Sequence, residues 1–218
     1  MSRILLNLLT GTSSTGVSVT CDEESLIAIS IEAGIRQSET IFKMIKDAFT
    51  YLDITIDAID GVTTLKGPGS FTGLRVGLAA AKAIAFAKGI PIFTMDTMEA
   101  IYSENDFKEN TVAMMDARRD RVYIKRFYGE NKNTEVIALD ELEETMGRTI
   151  VVGENLQKYR ALLEGKGYTL VTDKDIYLTT KGLTKRAIKA RREDFVDSFL
   201  SELDYLKKNA DVVTLKND

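Results

Sequence analysis

The stretch Gly67-Pro68-Gly69-Ser70-Phe71-Thr72-Gly73 decides the fold, because the apolar run Leu74–Lys88 follows it directly. Three glycines and a proline in seven residues fix a backbone geometry that side chains would obstruct. The pattern predicts a strand over Ala58–Leu65, a tight turn, and then a helix that ends at Gly89. Such a turn directs backbone N–H groups and a helix N-terminus at whatever lies above it, which suits an anion.

Two loops are candidates for binding phosphate. The glycines at 67, 69 and 73 fit neither G-x-G-x-x-G nor the P-loop, so their spacing leaves a structural turn and a phosphate contact both open. The turn Gly11–Gly16 carries hydroxyls and is either a second phosphate loop or a hairpin turn. Phosphoryl transfer needs an acid that holds Mg²⁺ or orients water, yet residues 4–20 contain none. The candidate residues are Thr12, Ser13, Gly67, Gly69, Ser70, Thr72 and Gly73.

The composition excludes several classes of protein. The chain has no histidine, so it cannot use an imidazole base and lacks the usual zinc ligands. We therefore expect no metal site and no catalytic residues of that kind. The net charge of −4 argues against a nucleic-acid binder driven by overall charge. No apolar run approaches the roughly 18 residues that span a bilayer, so no membrane contact is expected. With Cys21 as the single cysteine, a cytoplasmic location is the simplest expectation.

Two predicted helices, Glu39–Leu52 and Thr72–Lys88, are apolar over more of their circumference than a surface helix needs. One apolar stripe a little over about 100° wide suffices to cover a core, whereas the second helix carries only Arg75, Lys82 and Lys88 as charges. A helix of this kind must be buried on more than one side, so a second protein is its predicted partner. The predicted contact residues are Ile41, Met44, Ile45, Ala48, Val76, Ala79, Ala80 and Ala83.

The element order predicts an α/β protein of two domains. Three antiparallel strands followed by strand–helix crossovers give a mixed sheet with helices on it in residues 1–104. The polar segment 103–110 marks a boundary, and 105–218 forms a smaller α/β domain whose last helices are candidates to pack back on the first. Arg118, Arg119 and Arg121 crowd one hairpin, and the predicted helix Thr179–Arg192 is basic. Both are interpreted as solvated or ion-paired surfaces, with a contact to RNA phosphates as the alternative for the helix.

Three motifs resemble those of one family. The segment Gly67–Leu78, continuing through Ala81-Lys82 to Gly89-Ile90-Pro91, is similar to the hallmark of the bacterial TsaB (YeaZ) family. Residues Met115–Arg119 with Val122-Tyr123 resemble the family's second motif, and Tyr205-Leu206-Lys207 resembles its C-terminal Tyr-Leu-Arg. The resemblance extends over the whole chain, and its first motif is highly specific.

The resemblance implies an actin-like, sugar-kinase-like (ribonuclease H-like) fold of two domains. It also implies a non-catalytic scaffold subunit in the synthesis of N6-threonylcarbamoyladenosine on tRNA. In that family the chain binds and activates the catalytic subunit TsaD, the ATPase TsaE joins them, and the chain alone forms a homodimer. The first two helices of the N-terminal domain form the interface, and tRNA is bound through the complex. The chain holds no cofactor tightly, and the candidate site for ATP or ADP is at the partner interface.

The chain departs from the family pattern at three places. Gly11 stands where the family usually has the acid of Ile-Asp-Thr-Ser, Gln37 replaces a histidine, and Asp120-Arg121 replace the usual Gly and acid of the second motif. Two other functions remain as alternatives. A glycoprotease-like peptidase lacks support because no nucleophile–base pair is present, and an actin-like ATPase or kinase is disfavoured by Gly11.

Overall fold

The computed structural model describes residues 2–32, 36–104, 107, 109–130, 133–145, 147–171, 178–197 and 202. The chain divides into two compact units. The first unit is built from residues 1–104 together with a later segment that contains residues 178–197. The second unit is built from the described part of residues 105–176. Among the described residues, no helix has both the length and the apolar character needed to cross a bilayer.

The first unit contains a five-stranded mixed sheet in the order β3-β2-β1-β4-β5. Strands β1 (Ile4–Leu9), β2 (Ser14–Cys21) and β3 (Glu24–Glu32) form an antiparallel meander, while β4 (Gly61–Gly67) and β5 (Ile92–Asp96) run parallel to β1. The predicted mixed sheet therefore forms. The strand predicted over Ala58–Leu65 begins later, because residues Ile56–Ala58 form a 3₁₀ turn.

Helices α1 (Gln37–Leu52) and α2 (Phe71–Lys88) cover one face of this sheet. Their buried residues share a core with Leu6, Leu8, Val17 and Val19 of the strands. Ser70 caps α2, since its side chain accepts a hydrogen bond from the N–H of Gly73 at 3.4 Å. Serine is a residue type that favours an N-cap, but Ser38 lies inside α1, which begins at Gln37 without a side-chain cap.

The opposite face of the sheet carries α3 (Thr97–Ser103) and α5 (Thr180–Ile188), and a row of polar side chains crosses it beside apolar residues such as Leu5 and Leu9. Successive strand residues alternate between faces, so Asn7 points away from its neighbours Leu6 and Leu8. Its amide accepts from the Thr63 hydroxyl at 2.7 Å and donates to Ser18 Oγ at 3.1 Å. Ser18 Oγ lies 2.6 Å from the hydroxyl of Thr184 on α5. A buried chain of hydrogen bonds therefore joins the sheet to α5.

The segment after α5 closes the sheet at β5. The basic helix predicted over Thr179–Arg192 is shorter than expected and ends at Ile188. Val196 then pairs with Ile92 through reciprocal backbone hydrogen bonds of 2.8 and 2.9 Å. The ring of Phe195 packs 5.5 Å from that of Phe93 and beneath the guanidinium of Arg3. The sequence pattern did not predict this bridge.

The second unit contains a five-stranded sheet in the order β10-β9-β6-β7-β8. The predicted hairpin is present as β6 (Asn110–Arg118) and β7 (Arg121–Arg126), with β8 (Glu135–Ala138) antiparallel to β7. Strands β9 (Thr149–Glu154) and β10 (Tyr168–Leu170) are parallel, and β10 was not predicted. After β9 the chain forms a 3₁₀ turn, Gln157–Tyr159, followed by α4 (Arg160–Gly165).

Candidate functional site

The glycine turn packs directly against the loop that joins β1 to β2. The N–H of Ser70 donates to the carbonyl oxygen of Gly11 at 2.7 Å. A Cβ atom on Gly69 would collide with that same oxygen, and a Cβ on Gly73 would lie 2.7 Å from Gly11 Cα. Gly11 itself has a φ of +82°, a conformation that favours glycine. The glycines therefore let two backbones meet without side chains between them.

Gln37, at the start of α1, forms hydrogen bonds to the loop between β1 and β2 through both the oxygen and the nitrogen of its side-chain amide. Its Nε2 donates to the carbonyl of Thr12 at 3.0 Å, and its Oε1 accepts from the N–H of Gly11 at 3.3 Å. The Thr12 hydroxyl also bonds back to Ser14, accepting from its N–H at 3.3 Å and donating to its carbonyl at 3.2 Å. The N–H of Gly11 and the hydroxyl of Thr12, donors that a phosphate loop would turn toward its anion, are therefore bonded within the protein.

The structure thus brings the two candidate phosphate-binding loops together. Thr12 and Gly73 are buried, Ser70 and Thr72 are exposed, and Ser13 is half-buried. The chemistry of a phosphoryl-transfer site requires a carboxylate or a metal beside such loops. Within the described ranges, no group of three or more acidic or cysteine side chains is arranged to hold a metal ion.

The structure corrects the predicted partner contacts at five positions. Ile41, Met44, Ile45, Ala48 and Ala80 lie in the core of the first unit, where each is at most 7% exposed. They cannot line a surface as well. The error arose because an apolar helix does not reveal which of its faces meets the sheet. Ala79 and Ala83 are exposed and Val76 is half-buried, so their contact with a partner stays a prediction.

A continuous apolar row remains on the outer side of α2. We call it the α2 stripe, and it consists of Phe71, Arg75, Ala79, Ala83 and Phe86, spaced three or four residues apart on one helical face. Phe71 is 52% exposed and Phe86 68% exposed. The guanidinium of Arg75 stacks 3.8 Å from the ring centre of Phe71 and so belongs to the stripe rather than interrupting it. The stripe therefore has two aromatic ends and a middle of small side chains.

The neighbouring helix α1 exposes two further aromatic side chains. Phe42 is 53% exposed and Tyr51 77% exposed. These two residues and the two phenylalanines of the α2 stripe were not predicted from the sequence as partner contacts, although all four are part of the apolar pattern of the helices. Exposed apolar side chains that lie together on one surface are typical of an interface.

A second polar cluster lies in the second unit, around Asp116 at the end of β6. Its carboxylate accepts from the Tyr159 hydroxyl at 2.7 Å, from Lys158 Nζ at 2.8 Å and from the N–H of Arg118 at 3.0 Å. Partial burial raises the pKa of Asp116, but the hydrogen bonds from Lys158, Tyr159 and Arg118 outweigh it and leave the pKa below its usual value. The same hydrogen bond to Asp116 raises the pKa of Lys158.

The two units, each with a five-stranded mixed sheet and helices, define an α/β protein of the actin-like, sugar-kinase-like class. A solved structure described as YeaZ from Pseudomonas aeruginosa has the same fold, with a TM-score of 0.76 at 17% identity over 94% of this chain and all of that one. Component A of the (R)-2-hydroxyglutaryl-CoA dehydratase of Acidaminococcus fermentans superposes with a TM-score of 0.50 at 9% identity, covering 88% of this chain and 99% of that one. The fold class predicted from the sequence is confirmed.

The sequence is also similar to known families. Residues 31–212 match the family described as TsaD: tRNA N6-adenosine threonylcarbamoyltransferase. The tRNA threonylcarbamoyladenosine biosynthesis protein TsaB of Haemophilus influenzae is 26% identical over 79% of this chain and 74% of its own length. The chain belongs to the TsaD family, within its TsaB (YeaZ) group.

Proposed function

We propose that this chain is a non-catalytic subunit of the machinery that makes N6-threonylcarbamoyladenosine on tRNA, and that it binds and activates a TsaD-type transferase. The observation that carries the proposal is the α2 stripe, an exposed helix face with aromatic ends and small residues between them. Small side chains let a second helix approach closely, and aromatic side chains are enriched in the cores of interfaces.

The family relationship supports the choice of partner. Transferases of the same family contain a segment of related sequence, and we propose that helices of the transferase meet α1 and α2 of this chain in a pseudo-symmetric pair. A second copy of this chain would meet the stripe in the same way, and we propose that the chain alone forms a homodimer. The ATPase TsaE would join the pair, and tRNA would bind through the assembled complex in the cytoplasm.

The geometry of the glycine turn supports a non-catalytic role. A working nucleotide site would need free N–H groups and a nearby acid, whereas Gln37 and Ser70 bond the loop that carries Gly11. We therefore propose that the isolated chain holds no nucleotide tightly, and that ATP or ADP binds where the partner completes a site. An actin-like ATPase would be indicated instead by hydrolysis in the isolated chain, and a peptidase by cleavage of the partner into discrete fragments.

Size-exclusion chromatography with light scattering tests the proposal. The chain is run alone, with its cognate TsaD-type transferase, and with the transferase and ATP. A single peak with the mass of a one-to-one pair is expected. In an assay that contains TsaE and the activated substrate, threonylcarbamoyl transfer to tRNA is expected when the chain and the transferase are both present. The same assay without the chain should show no transfer. Separate elution of the two chains under all conditions would disprove the proposed role.

A further inference from the structure

We propose that the turn between β6 and β7, with Arg118, Arg119 and Arg121, binds the phosphate backbone of RNA. The turn is unusual because three consecutive residues without a glycine have positive φ angles, +64° at Arg118, +53° at Arg119 and +54° at Asp120. The left-handed backbone conformation costs a residue that has a Cβ about 1–2 kcal/mol, a penalty that glycine does not have. If the turn served the hairpin alone, glycine or asparagine would form it at lower cost.

The turn is held rigid from both sides by residues of its own unit. On one side Asp116 accepts the N–H of Arg118 and is itself fixed by Lys158 and Tyr159. On the other side the carbonyl of Asp120 accepts the N–H of Leu139 at 2.9 Å. A rigid turn presents its side chains from fixed Cα positions, which lowers the entropy lost when a ligand is bound.

The guanidinium groups of this turn are available. Among the described residues, the side chains of Arg118, Arg119 and Arg121 form no hydrogen bond or ion pair, and the first two residues are exposed. Lys158 and Asp116 neutralise each other in an ion pair of 2.8 Å. Residues 118–121 therefore carry three positive charges and one negative, a local excess of two on a chain whose net charge is −4.

The chemistry of the turn favours an RNA backbone over a small anion. Planar guanidinium groups bind phosphate oxygens in pairs, and three of them on one turn, two exposed and that of Arg121 half-buried, match a ligand with several phosphates in a row. This inference rests on the proposed function, because an RNA substrate is what the proposed complex acts on. It adds a direct contribution of this chain to binding that substrate.

Fluorescence anisotropy with an unmodified tRNA transcript that the complex modifies tests the proposal. The complex of the chain with its transferase is titrated from about 50 to about 200 mM salt, because phosphate contacts weaken with salt. The double variant Arg118→Gln/Arg119→Gln is compared with Arg191→Gln/Arg192→Gln, which removes two exposed arginines of the first unit. We expect about tenfold weaker binding at low salt and a salt slope lower by about 1 to 2 for the first variant, and little change for the second.

The outcomes separate this inference from the proposed function. Equal affinity and equal salt slope for the wild type and the Arg118/Arg119 variant, in complexes that assemble normally, would overturn the inference and leave the proposed function standing. Loss of assembly by the Arg118/Arg119 variant with unchanged RNA binding by the components would assign the turn to a protein contact and also overturn it. Failure of the wild-type chain to assemble would overturn the proposed function and this inference with it.

Discussion

The carboxylate of Glu104 accepts a hydrogen bond from the backbone N–H of Gly182 at 2.7 Å, although 78 positions separate the two residues. It also accepts from the hydroxyl of Thr179, which itself caps α5 by accepting from the N–H of Lys181. A carboxylate at the N-terminus of a helix is stabilised by the helix dipole. Gly182 allows the contact, because a Cβ there would collide with the carbonyl of Ala100. Glu104 thus fastens α5 to the end of α3.

Glu104→Gln should therefore destabilise the first unit by about 2 kcal/mol, because Glu104 is 9% exposed and its hydrogen bonds are to a charged acceptor. The matched control is Glu99→Gln, which breaks a half-exposed ion pair with Arg186 between the same two helices. That change should cost less than about 1 kcal/mol. Urea unfolding measures both, and equal losses would show that Glu104 does not fasten α5.

Ala83→Glu should abolish pairing with the transferase while the chain stays folded. The substitution places a charge in the middle of the α2 stripe, where a partner helix would have to bury it unpaired. Ala161→Glu is the matched control, because Ala161 is also an exposed helical alanine but lies on α4. Size-exclusion chromatography with the transferase distinguishes the two variants. Normal assembly of the Ala83 variant would remove α2 from the interface. Ala80→Glu is unsuitable, since Ala80 is buried and the variant should unfold.

Gly77→Ala should destabilise the first unit by about 1–3 kcal/mol through overpacking. A Cβ at this position would collide with Thr10 Oγ1 and lie 2.9 Å from Thr64 Oγ1, both of which are buried. In contrast, Gly165→Ala on α4 meets no atom within 4 Å and should stabilise the chain by up to about 1 kcal/mol. Thermal unfolding of the pair gives opposite signs if the contact of α2 with β1 and β4 is as tight as described.

Asp116→Asn should lower stability near neutral pH but not in acid. Because the folded pKa of Asp116 lies below the unfolded value of about 3.9, its contribution is complete above that value. The contribution is lost as the pH falls through the folded pKa. The gap in unfolding free energy between wild type and variant should be about 1–2 kcal/mol at pH 6–7 and should shrink below about pH 4. Urea titrations across this pH range would contradict the assignment if the gap stayed constant.

The local pattern predicted most elements, because glycine turns, alternating strands and apolar helices are encoded by neighbouring residues. It could not predict the bridge between Ile92 and Val196, since this bridge depends on a contact between distant segments, and it gave the return of the last helices to the first domain only as a candidate arrangement. The glycine turn was located correctly, but its neighbour Gln37 was noted only as a departure from a family pattern.

The candidate interface, like the fold, could be predicted from the sequence only in part. The excess of apolar residues on α1 and α2 pointed to a second buried side, yet it did not say which residues face the sheet. The apolar residues of α2 lie all around the helix, so their spacing does not show which side of the helix faces the sheet. Only the packing of Ala80 and Ile41 into the core, with Ala83 and Phe86 left outside, resolves the two faces.

The return of α5 to the first unit has a consequence for synthesis on the ribosome. The strands of the second unit lie within residues 110–170, and all of them are made before the ribosome reaches Thr180. Domains fold largely as units as the chain emerges. Although the first unit starts the chain, the face of its sheet that α5 covers therefore stays uncovered while the strands of the second unit are translated. The sheet of the N-terminal unit is thus covered by α5 only after every described strand of the second unit has been made.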